Sequence, residues 1–102
     1  MMNRTDLTHD RLHTLLKMFM AQHQKEYHLR ALGYFGSHAR GEATPESDVD
    51  VVFKTDRPDL FVTVMIKQDI EEMLGCPVDV VQLRNKMNPG LKSRIEREAI
   101  YV

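Results

Sequence analysis

The chain has 102 residues, 42% of them hydrophobic and 28% charged, a make-up that excludes disordered, collagen-like and membrane-embedded classes. Fourteen Lys and Arg against fifteen Asp and Glu leave a net charge of -1, so no global field favours nucleic acid, and no direct nucleic-acid binding is expected. The single cysteine, Cys76, rules out an internal disulfide and a multi-cysteine zinc site, which fits a reducing cytoplasm.

At a typical domain size of about 100 to 150 residues, the whole of 1–102 reads as one domain with one modest core. No apolar run approaches the roughly 20 residues of a membrane span. The opening MMNRTDLTHD lacks the apolar stretch of a signal peptide. A cytoplasmic protein without membrane association is expected.

In chain order, Leu12, Leu15, Leu16, Phe19 and Met20 fall at the spacing that lays one apolar stripe along a helix. That predicts a helix over about residues 6–24, capped by Thr5, Asp6 or Thr8, whose short side-chain oxygens satisfy free backbone N–H groups. Leu29 to Phe35 reads as a buried strand, punctuated by Gly36, and Ser37-His38-Ala39-Arg40 as the start of a short helix. Asp48-Val49-Asp50-Val51-Val52-Phe53 is a second strand, favoured by its β-branched residues. Asp59 is placed to cap a second long helix that runs through Ile66 and Ile70 to Leu74 and stops at Gly75 and Pro77, although Phe61 to Ile66 has strong strand propensity. Val78 to Leu83 forms a third strand. Asn88-Pro89 then opens a last helix that turns Leu91 and Ile95 inward. Strands alternating with helices argue an α/β (α+β) fold, a small mixed sheet with flanking helices.

The chemistry-bearing residues interrupt these apolar strands. Asp48 and Asp50 are two apart on a strand, so their carboxylates share one face. Held that close they repel, unless one is protonated or a cation lies between them. Hard oxygen donors suit Mg²⁺, which binds one or two carboxylates and completes its shell with water and phosphate oxygens. Asp79, flanked by Val78 and Val80, adds a third carboxylate if its strand neighbours the second. Singly, each acid has a plainer reading, as a strand cap, a surface ion pair or an exposed edge residue. Together, three acids in the most apolar segments point to a metal site. Gly36 and Ser37, where the first strand ends, offer close backbone approach, N–H donors and a hydroxyl to a phosphate, and Arg40 a counter-charge; an ordinary glycine turn is the alternative. Gly36 and Gly41 have Walker A spacing, but Glu42-Ala43 follow where that loop needs Lys and Ser or Thr, and no G-x-G-x-x-G occurs.

The stretch Gly36-Ser37-His38-Ala39-Arg40-Gly41, continuing to Ser47-Asp48-Val49-Asp50, resembles the two-part signature of the DNA polymerase beta-like nucleotidyltransferases, and most closely the minimal nucleotidyltransferase (MNT) group. Val78-Asp79-Val80-Val81 is similar to the strand that carries that family's third acid. The resemblance implies a polymerase beta-like nucleotidyltransferase fold. It also implies Asp48, Asp50 and Asp79 as Mg²⁺ ligands, with Asp79 helping to deprotonate the attacking hydroxyl. Ser37, the backbone around Gly36, and Arg40 would act as phosphate contacts and ATP as substrate. Members of this size are often antitoxins that adenylylate a tyrosine of a HEPN-type ribonuclease toxin, so a hetero-oligomer with such a toxin is expected. A non-catalytic antitoxin that acts by binding, and a nucleotidyltransferase for a small-molecule hydroxyl, stay open beside it.

Four other features are read more plainly. Arg4 and His9 resemble the toxins' own arginine–histidine motif, and coincidence is favoured. His9 and His13, at helical i,i+4 spacing, are taken as a solvated face rather than zinc ligands. Met18, Met20, Met65 and Met73 are expected in the core. Arg84, Lys86, Lys92, Arg94 and Arg97 give the C-terminal stretch a basic bias, taken as a solvated face, with steering of an acidic partner, ATP or RNA as the alternative.

Overall fold

The structure is a computed structural model that describes residues 7–102. Thr5 and Asp6 as helix caps, and Arg4 of the toxin-like pair, lie outside the described residues. The elements are α1 (His9–His23), β1 (Leu29–Phe35), α2 (Ser37–Arg40), β2 (Val49–Thr55), α3 (Leu60–Leu74), β3 (Val78–Gln82), α4 (Pro89–Glu98) and β4 (Ile100–Tyr101). This is the mixed sheet with flanking helices expected from the sequence, enlarged by β4.

Local signals set the helix ends. The Thr8 side chain accepts from the Arg11 N–H, the Asp59 side chain from the Phe61 N–H, and the Asn88 side chain from the Leu91 N–H, with Pro89 following. Gly75, at φ 72°, closes α3 by donating to the Glu71 carbonyl. The strand propensity of Phe61 to Ile66 is overruled: Ile66, Ile70 and Leu74, four apart, are buried on one helical face.

The sheet order is β3-β2-β1-β4. β1 runs antiparallel to β2 and β4, whereas β2 and β3 are parallel, joined by α3 as the crossover such a pair requires. Alternation along β2 divides the interior. Val49, Val51 and Phe53 join Leu12, Leu16, Phe19, Ile66 and Ile70 in the main core on the α1/α3 face. Val52 packs with Phe35 and Ile95 under α4 on the other face. β4 was not foreseen; it reaches β1 only because Gly33 has no side chain, since a Cβ there would lie 2.6 Å from the Ile100 carbonyl oxygen.

Two smaller expectations are adjusted. His9 is exposed and His13 partly so, as a solvated face requires, but both also reach inward to the Tyr34 hydroxyl, at 3.0 and 3.2 Å. Met18 and Met65 are exposed rather than core. No helix among the described residues is long and apolar enough to cross a membrane.

Candidate active site

Asp50 is the second residue of β2 and stands in register with Asp79 on the parallel neighbour β3. The adjacency needed to bring the third acid to the first two is therefore present. Both lie on the sheet face under α4, since they alternate with residues of the main core. Asp48, expected on the strand with Asp50, instead sits in the irregular segment just before β2. Asp50 is half-buried, and Asp48 and Asp79 are exposed.

That arrangement has an electrostatic cost. Burial and then the neighbouring Asp79 push the Asp50 carboxyl above its ordinary value, and Asp48 adds to the rise; Arg94 and Arg40 pull against it without cancelling it. Among the described residues no three His, Cys, Asp or Glu side chains already converge closely enough to hold an ion. The donor set nevertheless fits a hard divalent cation. Mg²⁺ needs only one or two carboxylates from the protein, and positive charge between these three relieves the repulsion that Asp50 experiences.

Gly36 is the hinge between β1 and this cluster. Its φ of 74° and ψ of -151° belong to a region essentially confined to glycine. A Cβ there would also collide with the Asp50 carboxylate and come within 3.2 Å of an Arg94 Nη. The sharp turn starts α2 at Ser37, which is partly exposed, and the N–H groups of Ala39 and Arg40 return to the Gly36 carbonyl at 3.1 Å. Gly41, in the left-handed region, ends the turn.

Arg40, expected as a phosphate contact, is held between two carboxylates, Glu42 at 2.5 Å and Glu98 at 3.1 Å. Glu98 also accepts from the Gly36 N–H at 3.2 Å and pairs with Arg94 at 3.3 Å. Burial pushes the Glu98 carboxyl up, but the Gly36 N–H and the two guanidinium groups outweigh it and hold it below the ordinary carboxylate value. The Arg94 guanidinium lies 5.6 Å from the Phe35 ring centroid. Arg94 and Glu98 were missed as site residues. The available signal was their i,i+4 spacing on the last helix, which fixes an acid and a base side by side.

His38, the variable position of the Gly36–Gly41 motif, is buried, and its Nε2 has no hydrogen-bond partner among the described residues. Burial pushes its pKa below the ordinary histidine value, a backbone bond to Ser47 opposes this, and nearby His9 adds to the lowering.

A Gly-Ser turn therefore faces Asp50 and Asp79, which stand in register on adjacent strands of a small mixed sheet. The chain belongs to the nucleotidyltransferase domain family, whose profile matches residues 16–102. It is 30% identical over 97 residues to the protein adenylyltransferase MntA of Thermococcus cleftensis, covering 94% of this chain and 97% of that one. A relative from Methanocaldococcus jannaschii is 33% identical over 94 residues, covering 85% of this chain and 94% of its own. A solved minimal nucleotidyltransferase structure superposes with a TM-score of 0.77 at 28% identity, covering 92% of this chain and 95% of that one. The fold is also that of a chain in the complex of a tri-AMPylated Shewanella oneidensis HEPN toxin with its MNT antitoxin, at a TM-score of 0.64 and 17% identity, covering 87% and 70% of the two chains.

Proposed function

We propose that the chain is a cytoplasmic, Mg²⁺-dependent protein adenylyltransferase that moves AMP from ATP to a hydroxyl, a tyrosine's, on a HEPN-type toxin. It thereby acts as the antitoxin of a hetero-oligomeric pair. The observation that carries this reading is the Asp50–Asp79 register beside the Gly36-Ser37 turn, in a chain that matches a named protein adenylyltransferase along almost its whole length.

In this reading Asp48, Asp50 and Asp79 hold Mg²⁺, which supplies positive charge to the triphosphate when bound. Ser37 and the backbone around Gly36 orient the phosphates, and Arg40 serves as a further phosphate contact. Asp79, exposed at the edge strand β3, takes the proton from the attacking hydroxyl. The acceptor oxygen forms its bond to the α-phosphorus as the bond to pyrophosphate breaks, and positioned charge stabilises the leaving group.

The test is label transfer from ATP carrying label on its α-phosphate to the co-purified toxin. Asp48→Asn with Asp50→Asn is expected to lower transfer by about 10²-fold or more. Unchanged transfer overturns the reading. If transfer is lost and the variant still protects cells from the toxin, neutralisation rests on contact instead. Label on a small molecule alone would assign the chain to small-hydroxyl chemistry.

A further inference from the structure

The basic bias of the C-terminal stretch finds only part of its use at the carboxylate cluster, where Arg94 pairs with Glu98. Two other members, Arg84 after β3 and Lys92 on α4, meet Arg30 of β1 and Lys54 of β2 around an open groove of about 710 Å³. The four cations come from four separate segments of the chain, so the fold and not local sequence gathers them. One carboxylate, Glu96, lines the same groove. Arg30 is already shared with Asp56 at 3.0 Å, and the Lys92 ammonium donates to the Asn85 carbonyl at 3.4 Å. Among the described residues Lys54 and Arg84 have no ion pair.

Four cations lining one groove are a match for a counter-ion with several negative centres. A run of phosphates offers each of the four cations a partner, which a single phosphate does not. Tyr101, 43% exposed, lines the groove as well. An aromatic face beside cations is the combination that holds single strands without reading their sequence, through base stacking and backbone neutralisation. An acidic peptide would satisfy the cations and leave the ring unused.

We propose that this groove binds a single-stranded nucleic-acid segment, its phosphates on Lys54, Arg84, Lys92 and Arg30 and a base on Tyr101. The site is separate from the aspartates. Lys54 lies four residues along β2 from Asp50, about 13 Å at the usual rise per residue, and the packed Phe35, Val52 and Ile95 side chains intervene. The proposal therefore does not rest on the nucleotidyl-transfer reading.

The experiment follows anisotropy of a fluorescein-labelled oligouridylate of about ten nucleotides titrated with the full chain. Saturable binding is expected, with a slope of log K against log salt of about -3, as for roughly four neutralised phosphates on a single strand. Lys54→Glu with Arg84→Glu, both at exposed positions, is expected to weaken binding at least about tenfold. Tyr101→Ala should weaken it by about tenfold and Tyr101→Phe should not. Absent binding, equal binding by the charge-reversal variant, or no loss in Tyr101→Ala overturns the proposal. Competition by polyglutamate as effective as by unlabelled oligouridylate also overturns it, in favour of an acidic protein partner. Competition by ATP at equal phosphate concentration would make the groove a mononucleotide site.

Discussion

Gly36 is constrained twice, by backbone and by neighbour, and the two constraints can be separated experimentally. Its φ and ψ lie where L side chains are strained, and the Asp50 carboxylate fills the space a Cβ needs. Gly41 shares the positive φ, at 72°, but a Cβ there meets nothing within 4 Å. Gly36→Ala is expected to cost about 1–3 kcal/mol in urea denaturation and to displace Asp50, so that label transfer collapses. Gly41→Ala should cost about 1 kcal/mol and retain transfer. Asp50 itself gives a second test. Because burial and Asp79 raise its folded pKa, the native state binds more protons than the unfolded one just above the ordinary carboxylate value, and stability falls as pH rises through that window. At neutral pH the ionised Asp50 therefore opposes folding, and Asp50→Asn should melt higher than wild type without divalent cation. Added Mg²⁺ should raise the melting temperature of wild type and leave the variant behind. These residues were legible in the sequence because acids and a glycine interrupt apolar strands. Arg94 and Glu98 were not, because an i,i+4 pair on a helix looks like any solvated face until α4 docks and brings Glu98 to the Gly36 N–H.

Among the elements, α4 depends most on a small set of contacts. Its one fully buried side chain, Ile95, packs on Phe35 and Val52, and that cluster seats the helix carrying Arg94 and Glu98 against the Gly36 turn. Ile95→Ala is expected to destabilise by about 2–5 kcal/mol, read by urea denaturation. Within the folded fraction it should raise the KM for ATP more than it lowers kcat, because the turn loses its support and not its carboxylates. In α2 the lowered pKa of buried His38 has the opposite sign to Asp50. The unfolded chain takes up the proton first, so stability present above about pH 6.5 is lost as pH falls through the lower folded value. His38→Gln should remove that component of the acid loss, seen by comparing urea midpoints at neutral and mildly acidic pH. Caps and periodicity made α1, α3 and α4 readable from sequence. β4 was not, because two residues carry no period and its pairing depends on Gly33, far away in the chain.

At the scale of the whole molecule a net charge of -1 hides a division. Carboxylates gather at the start of β2 and β3, and cations gather at their far ends around the Lys54 groove. Composition could report only the sum, since the separation is created by strand direction and by where α4 crosses the sheet. The division makes ligand linkage a test of the site that is independent of any acceptor. A triphosphate brought to Asp48, Asp50 and Asp79 without metal adds charge to an already repelling set, and Mg²⁺ alone forgoes the phosphate oxygens that complete its shell. The two together satisfy both. Binding to the native state alone stabilises by mass action, about 2.7 kcal/mol at a ligand concentration 100 times Kd, which for a domain of this size corresponds to a rise of about 10 °C or more in Tm. ATP with MgCl₂ is therefore expected to raise Tm by that amount, either one alone by far less, and Asp48→Asn with Asp50→Asn should abolish the joint effect while the oligouridylate titration stays unchanged. A joint shift that survives in this variant would move the nucleotide away from the aspartates.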